Sequence, residues 1–392
     1  MSDTMHNYLK EYGDISFMER PMNDVDSLVL CQFVYLKFDG LVPELKERRR
    51  SVSLEELARH PQAEKLFADE RFAKDNRELF EDMLAGRRFR NMKINCHINV
   101  IEKEWETQFS AATFILEDGT IYVAFRGTDE TIVGWKEDFN MAFLSPVPGQ
   151  ALSVKYLNVV TERFHNPFYV GGHSKGGNLA VYSAMNCAAV VQKRILKVYS
   201  MDGPGFRPEV LEQCGYDRIA DRVVKLLPHS SMIGMIFEWD TRYQVVESRS
   251  FGLAQHNPYN WKIKNGEFVL AEDIYGRARL VDNTINEWIS SLDDQQIKLF
   301  VDTLYQVISA SEADDLIAIT ADWKRSMTGV VAALKGVDED TAKVLQEIVK
   351  GLFELARVRM KEELGRPIKK TAEQAKSRRR PKRRTEAVHP TA

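Results

Sequence analysis

The sequence predicts an α/β protein: a mostly parallel sheet with an antiparallel hairpin at one edge, followed by a helical region toward the C-terminal end. Three observations carry this reading. Strand-like apolar runs recur between residues 94 and 248, and helix-like stretches separate the later ones. Asp118-Gly119 falls between two such runs with no room for a helix, which marks a hairpin turn. From about 280 to 364 the pattern becomes helical throughout, with Trp288, Ile289, Leu292, Ile297, Phe300 and Leu304 near the 3.6-residue period. Hairpins that feed alternating strands and helices imply a sheet covered on both faces.

Taken in order, residues 1–90 read as a helical segment packed on the core. An apolar helix at 28–36 follows a cap at Asp26-Ser27, Ser53 and Glu56 have capping-box spacing, and a third helix runs from 73 to 84. Strands follow at 94–101, 109–116 and 120–125. Helical patterns near 134–142 and 150–163 lead to a strand ending at Val170, with further strands at 195–200, 223–227 and 243–248. The expected organisation is therefore a helical segment at 1–90, a sheet core at 91–278, a helical appendage at 279–364 and a basic tail at 365–392. No internal repeat interrupts it.

The chain of 392 residues is 44% hydrophobic and 28% charged, enough to bury a large core in a soluble globular protein. Its formal charge of −3 hides an asymmetry: residues 365–392 hold ten Lys or Arg against two Glu, so the rest is strongly acidic. That tail has little to bury and is expected to be disordered, either a solubilising end or a weak contact for anionic surfaces. No specific nucleic-acid partner is expected, and the sequence leaves the oligomeric state open. The first residues lack a basic patch followed by an apolar stretch, and no run approaches 18 apolar residues, so neither a secretory signal nor a membrane span is expected. Cys31, Cys96, Cys187 and Cys214 have no metal-ligand spacing; free thiols in a reducing cytoplasm, with no metal or cofactor, are the simplest expectation.

The most informative stretch is Gly172-His173-Ser174-Lys175-Gly176-Gly177, between an apolar strand and a small-residue helical pattern. A serine at the apex of a strand–turn–helix needs glycine-sized neighbours and stands at the positive end of a helix. Its hydroxyl is a weak nucleophile until a base takes the proton and a third group orients that base. Of eight histidines, His229 and His256 follow strands at the carboxyl edge of the sheet. The chain order serine, acid, histidine favours His256, with His229 as the alternative, whereas His173 reads as a structural residue packed sideways in the turn. The acid is expected at Asp202, held by Gly203-Pro204-Gly205 at a strand tip, with Glu238 and Asp240 as alternatives. The later strand end, Pro228-His229-Ser230-Ser231, offers no acid. Donors for a developing oxyanion are the backbone N–H of Lys175 and the N–H or hydroxyl of Thr128 in Phe125-Arg126-Gly127-Thr128.

Together, the Phe-Arg-Gly-Thr strand end, the segment from Trp135 to Asn140 and the Gly-His-Ser-Lys-Gly-Gly turn resemble the class 3 lipases. The Asp-Gly-Pro-Gly-Phe and Gln-His-Asn-Pro motifs look like a bacterial, Mbeg-like branch of that group. The resemblance spans about residues 10–270. It implies an α/β-hydrolase fold with Ser174 as nucleophile, His256 as base, Thr128 in the oxyanion hole, and cleavage of a small or lipid carboxylic ester. Class 3 lipases place the acid after a later strand; Asp202 instead matches the position used by pancreatic-type lipases, one strand earlier. The alternative is a catalytically lapsed hydrolase fold that serves as a binding or scaffold module.

Overall fold

The computed structural model describes residues 4–271, apart from 69–71, 103, 105–106, 129–136, 138–139, 142–144, 232, 239–241 and 251; beyond 271 it describes 274 and 295–296. The expected appendage at 279–364, save 295–296, and the tail at 365–392 lie outside the described residues.

Eight strands stand side by side in the order of the chain: β1 (Val52–Ser53), β2 (Lys93–Glu102), β3 (Thr107–Ile115), β4 (Ile121–Phe125), β5 (Phe168–His173), β6 (Ile195–Met201), β7 (Val223–Pro228) and β8 (Tyr243–Val246). The first four pair antiparallel and the last five parallel, β4 being shared. Alternation fixes the register. On β3 and β4, Ala112, Phe114, Tyr122 and Ala124 enter one core, while Phe109, Ala111, Val123 and Phe125 enter the other.

The first core lies under five N-terminal helices: α1 (Met5–Tyr12), α2 (Asp24–Phe33), α3 (Leu54–Ala58), α4 (Ala73–Ala85) and α5 (Arg87–Arg90). The second lies under α6 (Pro148–Arg163) and α7 (Lys175–Asn186). Helix α2 is buried on nearly every side, which its unbroken apolar run permits. It starts at Asp24, because Asn23 and not Asp26 is the cap: Asp26 N donates to Asn23 Oδ1 at 2.9 Å. Ser53 and Glu56 do form the capping box, with Glu56 N donating to Ser53 Oγ at 3.2 Å and Ser53 N to Glu56 Oε2 at 2.9 Å.

A buried ion pair buckles this layer. Arg88 Nε donates to Asp26 Oδ1 at 2.7 Å, both side chains are at most 1% exposed, and Tyr8 donates its hydroxyl to the same oxygen at 2.8 Å. The remaining guanidinium donors go to the carbonyls of Ile15, Ser16, Arg20 and Pro21, so the charge is removed from water with its hydrogen bonds met. Cys31, Cys96 and Cys187 are buried free thiols and Cys214 is half-buried. Among the described residues no helix is long and apolar enough to cross a membrane.

Candidate active site

Strand β5 passes into α7 through Ser174, whose φ of 59° and ψ of −133° lie where side-chain-bearing residues rarely sit. Such a conformation costs on the order of 1–3 kcal/mol and persists only where its surroundings dictate it. Here they do, because strand and helix meet backbone to backbone. A Cβ on Gly172 would lie 2.6 Å from the Phe125 carbonyl oxygen and strike Gly176, and one on Gly176 would strike Phe125 as well. Ser174 is half-buried, and its N–H donates to the Met201 carbonyl at 2.9 Å, which ties the turn to β6.

Asp202 follows β6, again with positive φ (50°), and is 1% exposed. Its Oδ2 lies 2.7 Å from His256 Nδ1, and its Oδ1 accepts the Ser231 hydroxyl. The place after β7 where no acid was found therefore supplies a donor to the acid instead. Gly234 packs against the same carboxylate so closely that a Cβ there would collide with it. His256 closes a 3-10 turn (Gly252–His256) beyond β8, and its side chain is 26% exposed. The loop after it is anchored by the Tyr259 hydroxyl donating to Asn76 Oδ1 (2.8 Å) and by Trp261 Nε1 donating to the Gln255 carbonyl (2.9 Å).

The alternatives lie elsewhere. His229 is 4% exposed, 2.8 Å from the Gln255 amide nitrogen, and accepts from Ser248 N at Nδ1; burial pushes its pKa below the ordinary imidazole value. Glu238 is paired with Lys225, and Asp240 falls outside the described residues. His173 departs from its sequence reading. Rather than packing only within the turn, it turns Nε2 to the His256 main-chain oxygen at 2.7 Å, and the two rings lie 4.5 Å apart.

Ser174, His256, His173, Lys175 and Thr128 line one cavity of about 200 Å³. Its other walls include Phe72, Met141, Ile233, Ile236 and Phe237. Thr128 follows β4 and is half-buried.

Sequence reasoning reached Lys175 only as a backbone donor and missed its side chain. The ammonium is 1% exposed, lies 3.0 Å from Glu137 Oε2, and donates to the Gln108 carbonyl (2.9 Å) and side chain (2.7 Å). Glu137 in turn accepts from Gly149 N at 2.7 Å and Gln108 N at 3.1 Å. The first residue of α7 is thus bolted to the starts of β3 and α6. Glu137 lies in the Trp135 to Asn140 segment that carries part of the class 3 resemblance, but no local pattern names it as the partner of Lys175. One cluster of metal-ligand type occurs among the described residues, His6 with Glu78 and Asp82. Lys10 already lies 3.0 Å from Glu78 and 3.6 Å from Asp82, supplying the positive charge.

A sequential sheet with this strained serine after its fifth strand, and with later strand ends bringing an aspartate to a histidine, is an α/β-hydrolase fold. The chain belongs to the Mbeg1-like family, whose model matches residues 83–306; the Mbeg-like resemblance read from the motifs is borne out. No curated protein matches the sequence. Two similar solved structures are the M37 lipase and the Rhizomucor miehei lipase with its propeptide. The first is 13% identical with a TM-score of 0.34, covering 53% of this chain and 68% of that one. The second is 14% identical with a TM-score of 0.31, covering 47% of this chain and 64% of that one.

Proposed function

We propose that the chain is a serine hydrolase that cleaves carboxylic esters with an apolar acyl group through an acyl-serine intermediate. Ser174 Oγ attacks the ester carbonyl while His256 Nε2 takes its proton; Asp202 accepts the Nδ1–H and steadies the imidazolium. The carbonyl oxygen, now negative, receives the backbone N–H of Lys175 and a donor from Thr128. Collapse expels the alcohol, which leaves with the proton from His256. A water then gives its proton to the same imidazole, attacks the acyl-serine and frees the acid, and the proton returns to Ser174.

The observation that supports this most is the 2.7 Å contact between His256 Nδ1 and Asp202 Oδ2, in a cavity that the strained Ser174 also lines. Walls of Phe72, Ile233, Ile236 and Phe237 favour an apolar acyl chain. A fluorophosphonate probe is expected to label the wild-type protein at Ser174 and to leave Ser174→Ala unmodified. Folded wild-type protein that stays unlabelled would end the reading.

A further inference from the structure

We infer that His173 is a positioning residue: its Nε2–H holds the main-chain carbonyl of His256 and so fixes where the base stands. This rests on the hydrolase reading above. His256 sits on a short 3-10 turn that no strand ladder holds, so its backbone must be anchored otherwise. Asp202 grips one ring nitrogen, and a single hydrogen bond leaves the imidazole free to swing about it. The His173 contact, 2.7 Å to the carbonyl oxygen of His256 itself, supplies the second point, and the packed rings, 4.5 Å between centroids and 36° between planes, limit the tilt.

The tautomer follows from the partners. A carbonyl oxygen only accepts, so His173 Nε2 carries the proton. Nδ1 is then the acceptor of the neutral ring, and it faces the Tyr35 hydroxyl at 3.3 Å. A neutral neighbour is what the reaction requires, because a second cation at ring-contact distance would oppose the imidazolium that His256 must become. His173 also adjoins Ser174 at the end of β5, in register with Met201 of β6. One rigid strand end therefore carries the nucleophile and the clamp on its base, and a shift of that strand moves both together.

The test compares fluorophosphonate labelling and ester turnover in the full chain for wild type, His173→Phe and His173→Gln, with thermal midpoints as a check on folding. Removing the donor while keeping the ring volume is expected to lower kcat and the labelling rate by at least about tenfold, with KM within about twofold. Glutamine, whose terminal N–H reaches a similar distance, is expected to recover most of the rate. Should the phenylalanine variant not fold, His173→Asn, polar but too short to reach the carbonyl, takes its place with the same expected loss. A Phe or Asn variant labelled at the wild-type rate, or a folded Gln variant as slow as they are, overturns the inference. A wild-type protein that neither labels nor turns over ester removes the hydrolase reading itself, and the inference with it.

Discussion

Asp202 is almost completely withdrawn from water, yet both its oxygens have partners, His256 on one side and Ser231 on the other. An asparagine would offer an N–H where the imidazole also presents one, turning a hydrogen bond into a clash of donors and favouring the wrong tautomer. Asp202→Asn is therefore expected to lower kcat by about 10³–10⁴-fold with the fold retained, measured by ester hydrolysis beside thermal unfolding. His97 gives a residue-scale prediction of another kind. It lies in β2, 4% exposed, and burial lowers its pKa to about 4 from an ordinary 6.5, opposed by the nearby Asp39 carboxylate and reinforced by Arg126. The folded chain thus binds fewer protons than the unfolded chain between those values, and stability falls as the pH drops from 6.5 toward 4. His229, shifted the same way, adds to the loss. His97→Gln is expected to flatten the thermal midpoint across that window, and an unaltered slope would refute the assignment.

At the scale of elements, the Lys175–Glu137 pair decides how firmly α7 begins where it does. Lys175→Met strands a buried carboxylate, with an expected loss of about 3–5 kcal/mol in denaturant unfolding; the double variant with Glu137→Leu should recover most of it. A single variant as stable as wild type would show that the pair contributes little. This pair also marks the limit of what the sequence discloses. Strands such as 121–125 and 195–201 were legible because alternation and turn residues are local signals. The short helix α1, at Met5–Tyr12, went unnoticed because eight residues offer barely two turns of periodicity. Ser174 and Asp202 directly follow strands and His256 closes the turn beyond β8, each beside a glycine or proline signal that marks it as a candidate in the sequence. The contacts from Lys175 to Glu137, Ser231 to Asp202 and His173 to His256 join residues 29 to 83 positions apart, and only the folded sheet brings them together.

For the molecule as a whole, the N-terminal helices matter because they reach the cavity. Gln32 and Tyr35 line it, and Asn76 of α4 holds the Tyr259 end of the His256 loop while accepting from Gln32 at 3.0 Å. The buckle at Arg88 and Asp26 should therefore affect stability and reactivity together. Arg88→Met is expected to cost about 3–5 kcal/mol, because Asp26 is left buried without its cation. Probe labelling should weaken as well, read near the lowered thermal midpoint; full reactivity in a strongly destabilised variant would uncouple the helical layer from the site.

The strand order has a consequence for how the molecule is made. Because β1 to β8 stand in the sheet as they occur in the chain, a ribosome delivers each strand beside the edge laid down just before it. Ser174 emerges on the fifth strand, and its turn can set once β6 arrives to accept the Ser174 N–H. The imidazole follows only after the eighth strand. On the proposed reading, a nascent chain thus carries the Ser174 hydroxyl before the imidazole that would take its proton, and the two come together only when the loop beyond β8 has settled against Asn76.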